Sequence, residues 1–379
     1  MKTASGKEEH FQVGEKIDSL TGMRGIACLF IVCFHYYCLF VDDQGLRYDA
    51  VPWMLQSKYI FEYSKNAVEL FFMLSGFLTA WHYRNTIAEI PFRQYFKRYN
   101  KLFWASAVVN VWALLNTVIR YRIGLDSGLN EPTPLRFILS VLMINTGWFT
   151  SYSQTQLPIN TTMWFIDVLL LCYMIYFIIG RLGKNPYVFI GLSALFVGIG
   201  WICLEHSPRL PFLWAIDGRG YATFFLGVLL AELQLKLSEK WRFRITAVLG
   251  SFIVLFFIFH TVVGFEKVFG DFGTSTYIRY FEFVAAPGLI LAAMNLKLIR
   301  KLLSWKLLAG LGGLSAAVYY VHNNCMEDYL ILNRLAGDPV DLLSFPIFLL
   351  ILLSMIPAAL LYRKLASIFT KKTGLEGRQ

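Results

Sequence analysis

Residues Asp18–Tyr36 read DSLTGMRGIACLFIVCFHY, a run apolar enough to cross a membrane that nevertheless holds Arg24 and His35. On insertion scales an ionisable side chain in lipid costs roughly 2.5–3.5 kcal/mol. Two such groups in one span therefore need an interior that is not lipid. They stand eleven residues apart, which at 100° per residue is three turns plus about 20°, so both face one side about 16 Å apart along the axis. A shared face points to one polar cavity inside a helix bundle, rather than to a snorkelling arginine and an unrelated interhelical histidine.

The rest of the chain repeats the pattern. Of 379 residues, 16% are charged, well below the roughly 25% of soluble domains. Mean hydropathy is +0.52. Apolar runs fall at 20–41, 66–84, 102–120, 137–149, 163–180, 186–204, 218–234, 244–263, 278–295, 307–323 and 344–366, and they lack the period-2 alternation of barrel strands. The expected fold is an all-α polytopic membrane helical bundle of about ten transmembrane helices. Segment 137–149 is too short to span, so it is read as a re-entrant or interfacial piece. Residues 1–19 are expected to form a polar cytoplasmic tail with no cleavable signal, 20–366 one membrane domain and 367–379 a cytoplasmic tail.

The net charge of +10 does not indicate nucleic acid, because the basic residues lie in short clusters between apolar runs, as the positive-inside rule requires. Placing the clusters inside puts both termini in the cytoplasm of a plasma or inner membrane. The six cysteines show no CxxC spacing and read as small buried hydrophobes. Neither a Gly-rich phosphate loop nor metal-ligand spacing occurs, so no metal is expected.

With that topology His35, Glu69, Asp167, Glu282 and His322 fall in the outer half, as does Arg279. A histidine oriented by a carboxylate can take a proton from an alcohol attacking a carbonyl, so His35 is the expected base and Glu69 or Asp167 its orienting group. The bland alternative for each carboxylate is interhelical bonding. His82, His206 and His260 receive no role. Inside, FRQYFKRYNK sets Arg93, Lys97 and Lys101 on one helix face beside Arg98. Topology alone explains such a run, yet four cations also match a ligand with several phosphates.

The first span resembles the start of the acyltransferase-3 family of integral-membrane acyltransferases, whose mark is an arginine or lysine, ten residues, then histidine (Arg24 and His35). ELFFMLSGFLTA from Glu69, FKRYNK, FFLGVLLAEL from Phe224 and VYYVHN around His322 extend the similarity over nearly the whole chain. The resemblance implies transfer of an acyl group, usually acetyl, from cytoplasmic acetyl-CoA to a hydroxyl of a cell-surface or lipid-linked carbohydrate. Arg24 and His35 would be the essential pair, and the basic residues at 93–101 would hold the CoA phosphates. Many members read W-S-L-x-x-E near the fifth segment, where this chain has Trp164-Phe165-Ile166-Asp167. Some carry a fused extracytoplasmic hydrolase-like domain; without one, a second step is expected to need a partner. The competing class is a transporter or flippase for a polar or glycan-type molecule. It predicts two repeat halves, and no internal repeat is evident.

Overall fold

The computed structural model describes residues 17–42, 63–84, 86–90, 92–125, 133–148, 158–183, 185–208, 210–263 and 279–372. Among them all extended regular structure is helical. In chain order the helices are α1 (Asp18–Tyr37), α2 (Ala67–Tyr83), α3 (Phe92–Arg122), α4 (Pro134–Leu142), α5 (Trp164–Leu182) and α6 (Pro186–His206). They are followed by α7 (Ala215–Lys236), α8 (Glu239–Val263), α9 (Ala286–Asn295), α10 (Lys297–Leu303), α11 (Lys306–Leu335) and α12 (Phe345–Lys372). Wide π-helical turns extend α1 at Cys38–Asp42 and open α9 at Phe281–Ala285.

The apolar surface of this bundle is arranged for lipid. Central α5 is mostly buried, whereas α6 and α12 expose Leu195, Ile202, Leu353 and Leu361 outward. By length and apolarity five segments suffice to cross a membrane: Asp18–Val41, Tyr99–Arg122, Thr161–Leu182, Pro186–His206 and Phe345–Thr370. The α9–α10 pair, bent by 94°, makes a sixth if it counts as one span. Helices α7 and α11 miss that standard because of Asp217 and Glu232 in one, and His322, Asn323, Asn324 and Glu327 in the other. All of these are buried between helices, which is where polar groups at membrane depth are tolerated. Helix α4 has nine residues, about 14 Å at 1.5 Å per residue, under half the hydrocarbon thickness. Thr133 caps its start by accepting from the Arg136 amide, and Met143 closes it in the left-handed conformation (φ 56°). It cannot cross.

Small residues set the register. A Cβ on Gly25 or Gly312 would collide with the backbone of α11 or α1 respectively, and one on Gly76 or Gly227 with the backbone of α7 or α2. Such contacts bring backbones close without a hydrophobic driving force between helices. Along α1 and α11 the partners advance together, with Cys28 Sγ donating to the Ser315 carbonyl at 3.3 Å, so the two run parallel. Helices α2 and α7 do likewise, paired by Glu69–Arg219 at one end and Arg84–Glu232 at the other. All six cysteines are free thiols, five of them buried. Contacts of Ser19 with Ala293, of Asn295 with Gln234 and Thr246, and of Gly22 with Leu303 gather the helix ends carrying Lys236, Lys240, Lys297, Arg300, Lys301 and Lys306 at one end of the bundle, the basic end. Arg24 is near it, and His35 lies about three turns farther away.

Candidate active site

Seven residues, two turns, separate Cys28 from His35 and likewise Ser315 from His322. The rung that joins the first pair therefore repeats at the second. His35 Nδ1 lies 3.1 Å from His322 Nε2, with ring centroids 4.9 Å apart. His322 Nδ1 lies 2.7 Å from the Tyr319 carbonyl. A carbonyl oxygen only accepts, so His322 Nδ1 carries the proton, and in the neutral ring Nε2 is a lone pair. His35 Nδ1 faces that lone pair and, at 3.0 Å, the Ile31 carbonyl. Both are acceptors, so Nδ1 of His35 is the protonated nitrogen. The lone pair of His35 then sits on Nε2, committed to neither contact. His322 is fully buried while His35 is only partly so. One ring is a fixed support; the other presents a base.

The wall around the pair is built from α5, α11 and the turn before α5. Tyr319 donates its hydroxyl to the Thr162 carbonyl at 2.5 Å, and its ring lies 5.3 Å from that of Phe165. Asn160 caps the turn by accepting from Thr162, while its amide donates to the Tyr320 carbonyl at 3.3 Å. Beyond His322 the polar seam continues, with Asn324 donating to the Val109 carbonyl and Asn116 to the Asn324 carbonyl.

The carboxylates are placed differently from the expectation that one of them orients His35. Glu69, 1% exposed, accepts from Arg219 Nε at 2.5 Å, and the guanidinium lies 4.9 Å over the Trp164 ring. Asp167, fully buried, accepts from the Thr146 amide at 3.0 Å. It thereby ties down the turn after α4, in which Gly147 (φ 83°) packs on the Asp217 carboxylate. The hydrogen-bond contacts that orient His35 are those with His322 and the Ile31 carbonyl. Glu282 is buried near the start of α9, whereas Arg279 pairs with Glu205 in a part-exposed contact. Arg219 was not singled out by sequence. Its one signal is a cation in α7 above an apolar run, at the depth of Glu69 on α2.

Toward the basic end, Arg24 lines a cavity of about 270 Å³ with Ser75, Thr79, His82, Tyr83 and Tyr173. A second cavity of about 310 Å³ shares Thr79, Tyr83 and Tyr173 and reaches Lys101. The side chains of Arg93, Lys97 and Arg98 lie outside the described residues, although the backbone from Phe92 onward is helical, continuous with the rest of α3. Arg24 and Lys101 thus line neighbouring cavities that share Thr79, Tyr83 and Tyr173.

Comparison with curated proteins and with solved structures gives no significant match. A family model described as an acyltransferase domain matches residues 17–364, a stretch that takes in α1 with Arg24 and His35, the Glu69–Arg219 pair and His322. With the match covering nearly the whole chain, this multi-pass membrane protein belongs to the acyltransferase-3 family.

Proposed function

We propose that the chain is an O-acyltransferase of the plasma or inner membrane, moving an acyl group, acetyl in the first instance, from acyl-CoA to a hydroxyl of a cell-surface or lipid-linked carbohydrate. The observation that carries this reading is the His35–His322 pair, which leaves a basic nitrogen on His35 at membrane depth. The basic end is the cytoplasmic one by the positive-inside rule, so both termini are cytoplasmic. Acyl-CoA enters there, its phosphates held by Arg24, Lys101 and the cations Arg93, Lys97 and Arg98, and its thioester arm runs up past Arg24 toward His35.

The acceptor hydroxyl gives its proton to His35 Nε2 as its oxygen attacks the thioester carbonyl. The C–S bond then breaks, and the CoA thiolate leaves with the proton that His35 returns. Proton transfer by a positioned side chain is worth about 10²–10⁴ in rate. Imidazolium formed on His35 is stabilised through its Nδ1–H by the Ile31 carbonyl and His322. Arg24 acts as a donor-positioning charge. Glu69 and Asp167 serve the walls of the site, not the proton.

The test is incubation of the purified chain with radiolabelled acetyl-CoA and a carbohydrate acceptor. Label appearing on the acceptor, together with free CoA, supports the reading. A transporter or flippase would carry a polar solute across vesicles while leaving the thioester intact, and that outcome would overturn it.

A further inference from the structure

Two buried acids share the field of Arg219, Glu69 through an ion pair and Glu282 through an electrostatic interaction without a hydrogen bond. Glu69 bonds Arg219 through one oxygen and leaves its other without a hydrogen-bond partner; Glu282, also 1% exposed, leaves both of its oxygens so. A buried acceptor left unsatisfied costs about 1–3 kcal/mol, more when charged. Three such oxygens therefore do not serve stability, and groups of this kind call for an explanation. The backbone supplies a second sign. Glu282 stands in the π-helical turn Phe281–Ala285, a widened turn rare in helices and frequent at functional sites. The cluster adjoins the histidine pair. Helix α9 packs on α1 and α2, and Trp164, under Arg219, neighbours Phe165, whose ring meets Tyr319. The Tyr319 carbonyl is the one that fixes His322.

We propose that Glu69 and Glu282 form the acceptor subsite, which binds an uncharged polyhydroxylated acceptor through its hydroxyls and excludes an acidic one. The proposal rests on the O-acyltransferase reading above and adds the acceptor class. Carboxylate oxygens accept, and sugar hydroxyls donate in adjacent pairs, so a polyol satisfies several orphan oxygens at once. Arg219 has no charge to spare for an anion. Glu69 and Glu282 against Arg219 sum to −1, and Arg279, the other cation acting on Glu282, is paired with Glu205, so no positive charge is left over for a uronate or phosphate. Glu282 is a specificity-determining contact and takes no part in proton transfer.

The full chain in lipid nanodiscs is assayed with radiolabelled acetyl-CoA, using p-nitrophenyl β-glucoside and p-nitrophenyl β-glucuronide as acceptor probes. Binding of each probe is measured separately by equilibrium dialysis. The parent should bind the glucoside and favour it over the glucuronide by about 100-fold in kcat/KM. Glu282→Gln should raise KM for the glucoside about ten-fold or more, the equivalent of one charge-assisted bond, and leave KM for acetyl-CoA unchanged. It should melt no lower than the parent, because it removes an unpaired buried carboxylate. An unchanged glucoside KM in Glu282→Gln, a parent that prefers the glucuronide, or a lowered melting temperature with unaltered KM would each overturn the subsite. Selective, Glu282-dependent binding without any acetyl transfer would instead count against the O-acyltransferase reading and leave the subsite standing.

Discussion

At the scale of single residues, the assignment turns on which nitrogen of each ring holds its proton. The backbone decides this, since the Tyr319 and Ile31 carbonyls each face an Nδ1. His322→Ala removes one of the two acceptors of His35 Nδ1–H, leaving the Ile31 carbonyl, and frees the ring to turn or to change tautomer. One neutral hydrogen bond is worth about 0.5–1.5 kcal/mol, so kcat should fall roughly ten-fold while KM for acetyl-CoA holds. His322→Gln, whose amide oxygen can accept from the same N–H, should recover most of that loss in steady-state assays. Equal losses in Ala and Gln variants would mean that His322 acts by some route other than orienting His35. Arg24 and His35 were legible in the sequence because both stand on one helix with a fixed angular offset. His322 is a candidate for the same site by its depth, but its contact with His35 is not legible, because depth along α11 says nothing of rotation about it. The missing clue was the shared seven-residue step from Cys28 and Ser315, which needs the helix pairing to be known first.

Elements carry the next level. The parallel α1–α11 pair is held by glycines that bring two backbones together, and the histidine pair inherits its register from that seam. Gly25→Leu or Gly312→Leu drives a side chain into the facing backbone, and overpacking of this kind costs about 1–3 kcal/mol or more. Both variants should lower the melting temperature in detergent and abolish transfer together, whereas Gly313→Ala, which meets open space, should do neither. The apolar runs located these elements, since a bundle interior and its lipid face both select apolar side chains, but they began ten residues inside α3 and stopped twelve short of the end of α11, where polar residues continue the helix. What periodicity did not reveal is the role of the nine-residue α4 and its turn. A carboxylate in an apolar helix looks functional, which is what singles out Asp167 in the sequence; in the structure one of its oxygens accepts from the Thr146 amide and the other has no hydrogen-bond partner. A buried acid that holds a loop and one that holds a base look alike in sequence. At the start of α3, replacing Arg93, Lys97, Arg98 or Lys101 singly by Ala should raise KM for acetyl-CoA, by less than ten-fold where the side chain is exposed. Four variants with parental KM would leave the run as a topology signal alone.

At the scale of the whole molecule, the two ends of the bundle differ in charge. Basic residues collect at one end, Glu69 and the histidine pair lie toward the other, and Arg24 stands between them on the same helix face as His35. Cysteine labelling should find 181–185 and 236–240 on the cytoplasmic side with both termini, and 123–136 on the opposite side. Labelling of 181–185 from outside would mean that the α4 region crosses, which would invert every depth assigned after it. Such a map tests the frame, whereas the chemistry rests on His35. The most direct measurement is therefore acetyl transfer by His35→Gln, set beside its melting temperature and its affinity for CoA. Glutamine keeps a hydrogen-bonding side chain that can bridge α1 and α11, but it cannot take a proton near neutral pH. Transfer should fall by about 10²–10⁴, the range for a lost general base, while stability and CoA binding stay at parental values. A folded, CoA-binding His35→Gln protein that transfers acetyl at the parental rate would contradict the account.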